Sequence, residues 1–465
     1  MEKVKYNYGY IWLLTIAASM GGFLFGYDWV VVGGAKSFYE PFFGIENSPL
    51  QQGWGTSSAL IGCMIGALFC FLTTERWGRK WLIAASGIIF IISAFGTALS
   101  DTFYWYNVFR IVGGFSIGIT LNLSPVYISE MVPPHQRGKF VSINQLLINV
   151  GILTSQSINW SIAAAHDTGI GPDSVAFINE WNVQTGWRWM FGAVAVPSLI
   201  FFILMIIVPE SVRWLVKNKQ YDKAEKVLAK IGGGGYAKTE MEEIKKTVAK
   251  DDSRMNFGSL LEPKMMKILL LAFFIALLQQ WSGMNVTFYY AADIFRQAGY
   301  DISGMMLNIA VIGLITVIFS GVAVLVVDKL GRKKLMLFGT LSMSLIYGVI
   351  GFLFLKEIKG IMIVAFTLLN VAVYSLTLAP VMWVILSEIF PNRIRGAAMS
   401  ITAFVIWIGN FSLTFSFPTI RENLGWANNF WLYGVICLAG FVILYFILPE
   451  TKNKTLEQIE KELVG

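Results

Sequence analysis

The chain has 465 residues, of which 55% are hydrophobic, 15% aromatic and only 14% charged. A soluble domain of ordinary composition carries about 25% charged residues, so this chain has too little polar surface for a soluble fold. The composition therefore excludes a soluble enzyme, a nucleic-acid binder and a secreted disulfide scaffold. In a membrane protein, the net charge of +7 is a signal of topology rather than of nucleic-acid binding.

Twelve apolar runs are long enough to cross a bilayer, since a helical span needs about 20 residues. Backbone groups in lipid must pair within their own segment, and the alternating pattern of a β-barrel is absent, so these runs predict helices. They lie at 9–33, 55–74, 81–100, 104–126, 140–163, 187–208, 266–291, 304–327, 335–355, 360–386, 397–418 and 427–448. We number them spans 1 to 12.

The distribution of basic residues predicts the topology. With the N-terminus inside the cell, 29 Lys and Arg residues fall in cytoplasmic segments and 6 in outer segments, which places both termini in the cytoplasm. The segment 209–265 is the only extended polar stretch. Its helical patterns at 220–230 and 240–250 flank four glycines, which indicates short cytosolic helices joined by a flexible link.

The two halves of the chain repeat each other. The run from Glu75 to Lys80 returns as 328–333, and the Ser-Glu pair at 129–130 returns at 387–388. The Pro-Glu pair at 209–210 likewise returns at 449–450. We therefore expect an all-α membrane protein of twelve transmembrane helices in two six-helix halves, the architecture of an alternating-access transporter. The predicted division is 1–208, a cytosolic helical linker 209–265, 266–448 and a cytosolic tail 449–465.

These motifs resemble the sugar porter family of the major facilitator superfamily, closest to bacterial D-xylose–proton symporters and similar to the animal glucose facilitators. The resemblance runs from end to end of the chain in the family's order. It rests on residues 26–28, 76–80, 110–114, 209–215, 279–285, 328–332, 383–395 and 449–452. One departure is Val212, where the family usually has a second proline. The resemblance implies a multi-pass protein of a bacterial inner membrane.

Asp28 and Arg110 are the ionisable residues that lie well inside the predicted spans. Each is about six residues from the outer end of its helix, so both lie ~9 Å below the outer boundary and can pair. A charge at the bilayer centre costs ~2.5–3.5 kcal/mol, which favours a functional pair over a static salt bridge. If the pair opens, a buried carboxylate favours its protonated form. The resemblance agrees, since proton-coupled members carry this aspartate and facilitators lack it.

Span 7 carries amides suited to sugar hydroxyls, which need groups that both donate and accept. On an ideal helix Gln280 and Asn285 lie 140° apart, so they meet one ligand only if the helix breaks at Gly283. The alternative is that these amides only join helices together. We assign to this part of the site Gln279, Gln280, Asn285 and Tyr289.

Other sugar-site residues come from the resemblance. On span 5, helical spacing puts Gln145, Asn149, Ile152 and Gln156 on one face, and Gln145 matches a family sugar ligand. Trp383 and Trp407 match the family's aromatic residues against the sugar; their alternative is plain packing. Three positions depart from the xylose-symporter pattern: Ile152 and Ile406 replace glutamines, and Thr316 replaces an asparagine. The sugar therefore remains open between D-xylose and a hexose such as D-glucose.

The resemblance also implies a cytoplasmic charge network that locks the outward-open state. Its members are Arg79, Glu130, Arg137, Arg332, Glu388 and Arg395. The predicted function is proton-coupled uptake of a monosaccharide, with an uncoupled facilitator or a membrane sugar sensor as alternatives. No nucleophile–base pair, metal cluster or phosphate loop is present in the sequence, so we expect no enzyme activity and no cofactor. The expected partners are the sugar, protons and the bilayer, without nucleic acid or an obligate protein partner.

Overall fold

The computed structural model describes residues 5–171, 174–250, 262–390, 395–452, 454 and 458, and within them it leaves out the side chains of 249, 250, 264, 328 and 395–397. The regular elements of these residues are helices. They are α1 (Tyr8–Phe43), α2 (Pro49–Trp77), α3 (Arg79–Ala98), α4 (Phe103–Met131), α5 (Arg137–Ala165), α6 (Trp187–Gly192), α7 (Ala195–Ile207), α8 (Val212–Lys217), α9 (Tyr221–Lys250), α10 (Pro263–Trp281), α11 (Met284–Tyr289), α12 (Ala291–Gln297), α13 (Ile302–Leu330), α14 (Arg332–Leu355), α15 (Ile361–Leu376), α16 (Leu378–Ile389) and α17 (Arg395–Ile447).

Each of the twelve predicted spans falls on helix. Ten helical stretches of the described chain are long and apolar enough to cross a membrane. One of them, within α17, covers both span 11 and span 12. These two spans meet at Gly425, where a φ of 77° interrupts the helical backbone. The remaining span is α5, whose polar residues lower its hydropathy. The all-α membrane class and the twelve-helix count are confirmed.

The cytosolic linker forms the two predicted helices. They are the two parts of α9, which Gly233 separates with a left-handed φ of 84° and an extended ψ. The rest of the predicted linker, 251–261, lies outside the described residues, as does most of the predicted tail.

Contacts between Cα atoms divide the chain into two compact units. Unit one contains 1–29, 61–152 and 191–254, and unit two contains 30–60, 153–190 and 255–465. Unit two thus includes the outer ends of spans 1, 2 and 5 from the first repeat. The units differ from the repeats because a sequence repeat reflects gene duplication, whereas a unit is defined by packing in the folded chain. The predicted domain boundaries stay a prediction.

Close packing of α2 on α4 organises unit one. A Cβ on Gly62 would lie 2.0 Å from the carbonyl oxygen of Ile111, and one on Gly118 would lie 2.3 Å from that of Cys63. Small residues that let helix backbones approach are the usual basis of packing in lipid, where burial of apolar surface gives little drive. These glycines fix the position of α4, which carries Arg110.

Candidate functional site

An ion pair lies inside unit one between α1 and α4. Nη1 of Arg110 donates to Oδ1 of Asp28 at 2.6 Å, and the two residues are 2% and 5% exposed. The guanidinium also lies over the ring of Phe191, 5.2 Å from its centroid. The other carboxylate oxygen, Oδ2 of Asp28, is buried and accepts no hydrogen bond from the described residues. The pair therefore offers one oxygen held by a cation and one oxygen able to take a proton.

The amides of span 7 form a second cluster, in unit two. Gly283 adopts a left-handed conformation with φ 83° and separates α10 from α11, so the expected helix break is present. As a result, Nδ2 of Asn285 donates to Oε1 of Gln280 at 2.7 Å, although the two lie 140° apart on an ideal helix. Gln280 donates in turn to Gln279, which donates to the hydroxyl of Tyr374. Gln279, Gln280 and Asn285 are all buried.

Tyr374 is a member of this chain of hydrogen bonds that sequence reasoning missed. It lies at the end of α15, where one tyrosine in an apolar run carries no signal of its own. On the other side, Gly409 of α17 packs on Gln280, since a Cβ there would lie 3.2 Å from Cβ of Gln280. The amides are thus held in place on both sides by neighbouring helices.

The other predicted sugar residues are distributed over both units. In unit one, on α5, Gln145 is exposed and Ile152 is buried. In unit two, Thr316 is buried and donates to the carbonyl of Ile312 at 2.8 Å. The rest of the set also lies in unit two: Tyr289, Ile406 and Trp407 are buried, and Trp383 is 38% exposed.

In unit one, two of the predicted gate residues, Arg79 and Glu130, belong to a compact charge network at the ends of α2, α3 and α4. Nε of Arg79 lies 3.2 Å from Glu130, and its Nη2 lies 3.0 Å from Glu75. Glu210 caps α3 by accepting from the backbone N–H groups of Arg79 and Lys80, each at 3.0 Å. Burial raises the pKa of Glu210, and these backbone donors oppose that rise.

Unit two repeats this arrangement with different residues. Nη2 of Arg332 donates to Glu388 at 3.0 Å, and Glu450 accepts from the backbone N–H of Arg332 at 3.0 Å. Arg137 is exposed at the start of α5, where its charge acts on Glu240 of α9. The side chain of Arg395 lies outside the described residues. The gating role of these six residues stays a prediction.

An ion cluster between the C-terminal part of α1, α12 and the segment of α17 that precedes Gly425 was not predicted. Nζ of Lys36 lies 2.7 Å from Asp293 and 3.1 Å from Glu40, and Lys36 is only 1% exposed. Arg421 completes the cluster, 3.5 Å from Asp293. Sequence reasoning placed Lys36 in a loop because the apolar run ends near residue 33, whereas α1 continues to Phe43. The spacing of Lys36 and Glu40, four residues apart, was the available signal.

Comparison with known proteins identifies relatives along the whole chain. A family model described as "Sugar (and other) transporter" matches residues 14–463. The arabinose–proton symporter of Bacillus subtilis is 35% identical, covering 98% of this chain and 96% of the relative. The D-xylose–proton symporter of Escherichia coli is 33% identical with the same coverage. A glucose transport protein of Synechocystis is 32% identical, covering 97% of each chain.

Comparison with solved structures also identifies sugar transporters as similar to this chain. The partially occluded inward-open form of the xylose transporter XylE from E. coli superposes with a TM-score of 0.84 at 31% identity, covering 96% of this chain and 100% of that one. The form of XylE bound to 6-bromo-6-deoxy-D-glucose gives 0.78 at 32% identity, covering 98% and 100%.

Replacing Gln280 tests the amide cluster. Gln280→Ala should weaken sugar binding by ~1–3 kcal/mol, because it leaves buried polar partners unpaired. Calorimetric titration with D-xylose and D-glucose measures the loss, and circular dichroism checks the fold. Gln297→Ala, a change at an exposed glutamine of α12, is the matched control and should bind as the wild type does. Unchanged binding by Gln280→Ala would show that span 7 is not the sugar site.

Proposed function

Since the chain belongs to the sugar transporter family, we propose that it carries an aldose of the D-xylose or D-glucose type across the membrane together with a proton. Its relatives include arabinose–proton and D-xylose–proton symporters. The observation that carries the coupling is the buried pair of Asp28 and Arg110, 2.6 Å apart. We place the protein in a bacterial plasma membrane with both termini in the cytoplasm, on the basis of its basic residues.

Protonation of Asp28 is the coupling step in this proposal. A carboxylate paired with Arg110 balances the buried guanidinium, whereas a protonated Asp28 releases it and lets the helices move. One proton crossing 100 mV supplies ~2.3 kcal/mol. Because ~1.4 kcal/mol corresponds to a tenfold ratio, this supports roughly a fiftyfold sugar gradient.

In this proposal, the ion cluster around Lys36 forms the closed outer gate of the transporter. Lys36 and Glu40 belong to the first repeat, and Asp293 and Arg421 belong to the second, so sugar entry from outside requires these contacts to break. Since the ion pairs exist on one side of the cycle only, their strength shifts the balance between the two states.

Asp28→Asn tests proton coupling. The neutral side chain keeps its size but cannot cycle between charge states, so accumulation driven by a proton gradient should be lost. Sugar exchange across vesicles loaded on both sides should persist, because it needs no net proton movement. Uptake of labelled D-xylose and D-glucose, with and without a protonophore, measures both properties. Asp101→Asn, at an exposed aspartate between α3 and α4, is the control. Normal accumulation by Asp28→Asn would refute the assignment.

The outer gate is tested by the double variant Lys36→Met with Asp293→Asn, which removes an opposite pair without leaving a net charge. The outward-open state should gain population, so external sugar should bind more tightly and internal sugar more weakly. A shift of ~1.4 kcal/mol would change the balance about tenfold. Influx and efflux in oriented vesicles measure the asymmetry, and Lys356→Met, at an exposed lysine, should change neither. Equal changes on both faces would contradict the gate.

Ile152 and Ile406 test the identity of the sugar. Each presents an apolar wall, and a hydroxyl left unpaired there penalises a sugar by ~1–3 kcal/mol, about tenfold or more. Ile152→Gln with Ile406→Gln should therefore shift the affinity ratio towards xylose relative to glucose. Competitive uptake of the two sugars at matched expression measures the ratio, while Asp28-dependent coupling serves as the internal control. An unchanged ratio would show that these residues do not face the sugar.

A further inference from the structure

Gln156 on α5 is a fully buried amide without a hydrogen-bond partner. Its residue is 0% exposed, and neither Oε1 nor Nε2 forms a hydrogen bond with any residue that the structure describes. A glutamine amide has two donor hydrogens and an acceptor oxygen, and buried polar groups of this kind are normally paired. An amide that only joined two helices would bond to one of them. The partner of Gln156 is therefore not among the residues that the structure describes.

The neighbours of Gln156 show why the amide is enclosed. A Cβ on Gly313 of α13 would lie 2.4 Å from Oε1 of Gln156 and 2.9 Å from Cα of Leu153. The side chain of Gln156 therefore lies directly against the backbone of α13, at a position where only glycine fits. Since α5 comes from the first repeat and α13 from the second, opening of the proposed outer gate would break this contact.

The position of Gln156 along α5 relates it to the predicted sugar residues. It lies four residues beyond Ile152 and eleven beyond Gln145 on one continuous helix. At 100° per residue these three side chains fall within about 40° of each other, and Gln156 lies ~6 Å further towards the outer side than Ile152. On the facing helix, Thr316 lies three residues from Gly313, about one turn away.

Asn159 on the same helix shows the contrasting structural role. It is also fully buried, but its Nδ2 donates to the carbonyl oxygen of Val31 at 3.0 Å. This hydrogen bond ties α5 to α1. Among the described residues, Asn159 thus has a backbone acceptor for its Nδ2, whereas neither polar atom of Gln156 has a partner.

We propose that Gln156 is a sugar-binding residue of the outward-facing state, which hydrogen-bonds a hydroxyl of the entering aldose when α5 and α13 separate. This assignment rests on the proposed sugar transport and extends the site one helical turn outward from Ile152. Without sugar, closure of the outer gate buries the amide unpaired. A bound hydroxyl supplies its partner, so Gln156 favours closure over a loaded site.

The test compares sugar affinity on the two faces of the membrane. Gln156→Met keeps the length of the side chain and removes the amide. The apparent affinity for external D-xylose or D-glucose should fall about tenfold or more, while the affinity for internal sugar changes little. Uptake into right-side-out vesicles gives the external affinity and uptake into inside-out vesicles gives the internal one, and Asp28-dependent accumulation should remain.

Two further measurements make the outcome decisive. Among the monodeoxy analogues of the transported sugar, one should bind the wild type and Gln156→Met equally well, because it lacks the hydroxyl that Gln156 contacts. Asn159→Leu, the control, should lower thermal stability instead. Unchanged influx affinity, equal losses on both faces, or a Gln156→Met protein that fails to fold would each overturn the assignment. Wild-type protein that transports neither sugar would refute the proposed function itself.

Discussion

The ion pair between Asp28 and Arg110 sets the main physical constraint on this protein. Neither charge is stable alone in a low-dielectric interior, so each holds the other in place. Arg110 is carried by α4, whose position depends on the glycine contacts with α2. A substitution at those glycines would therefore reach the ion pair through the backbone. Oδ2 of Asp28 accepts no hydrogen bond from the described residues, so the carboxylate is held in the pair through Oδ1.

Helix α1 connects this ion pair to the cluster around Lys36. Asp28 and Lys36 are eight residues apart on α1, which is ~12 Å along a continuous helix. Asp28 contacts α4 in unit one, and Lys36 contacts Asp293 in unit two. A rigid element held by ion pairs in two places transmits a shift at one of them to the other. In our proposal, α1 links the protonation of Asp28 to the opening of the Lys36 cluster.

The sequence predicted the elements and the local chemistry well, because both depend on short-range rules. Bilayer thickness identifies the spans, and equal depth predicts that Asp28 meets Arg110. The break at Gly283 follows from the need of Gln280 and Asn285 to converge. What it could not predict depends on tertiary contacts. Lys36 looked like a loop residue because the apolar run ends near residue 33 and one of its counter-charges, Asp293, is 257 residues away along the chain.

Comparison of the two repeats shows which structural features they share and which differ between them. Arg79 with Glu130 and Arg332 with Glu388 occupy matching places, and Glu210 and Glu450 cap matching helices. The first spans of the two halves differ, in contrast. Span 1 is one continuous helix that carries Asp28, whereas span 7 is broken at Gly283 and carries the amides. Duplication preserved the charged helix ends, and in our proposal the divergence of one pair of equivalent helices assigned proton coupling to one half and sugar hydroxyls to the other.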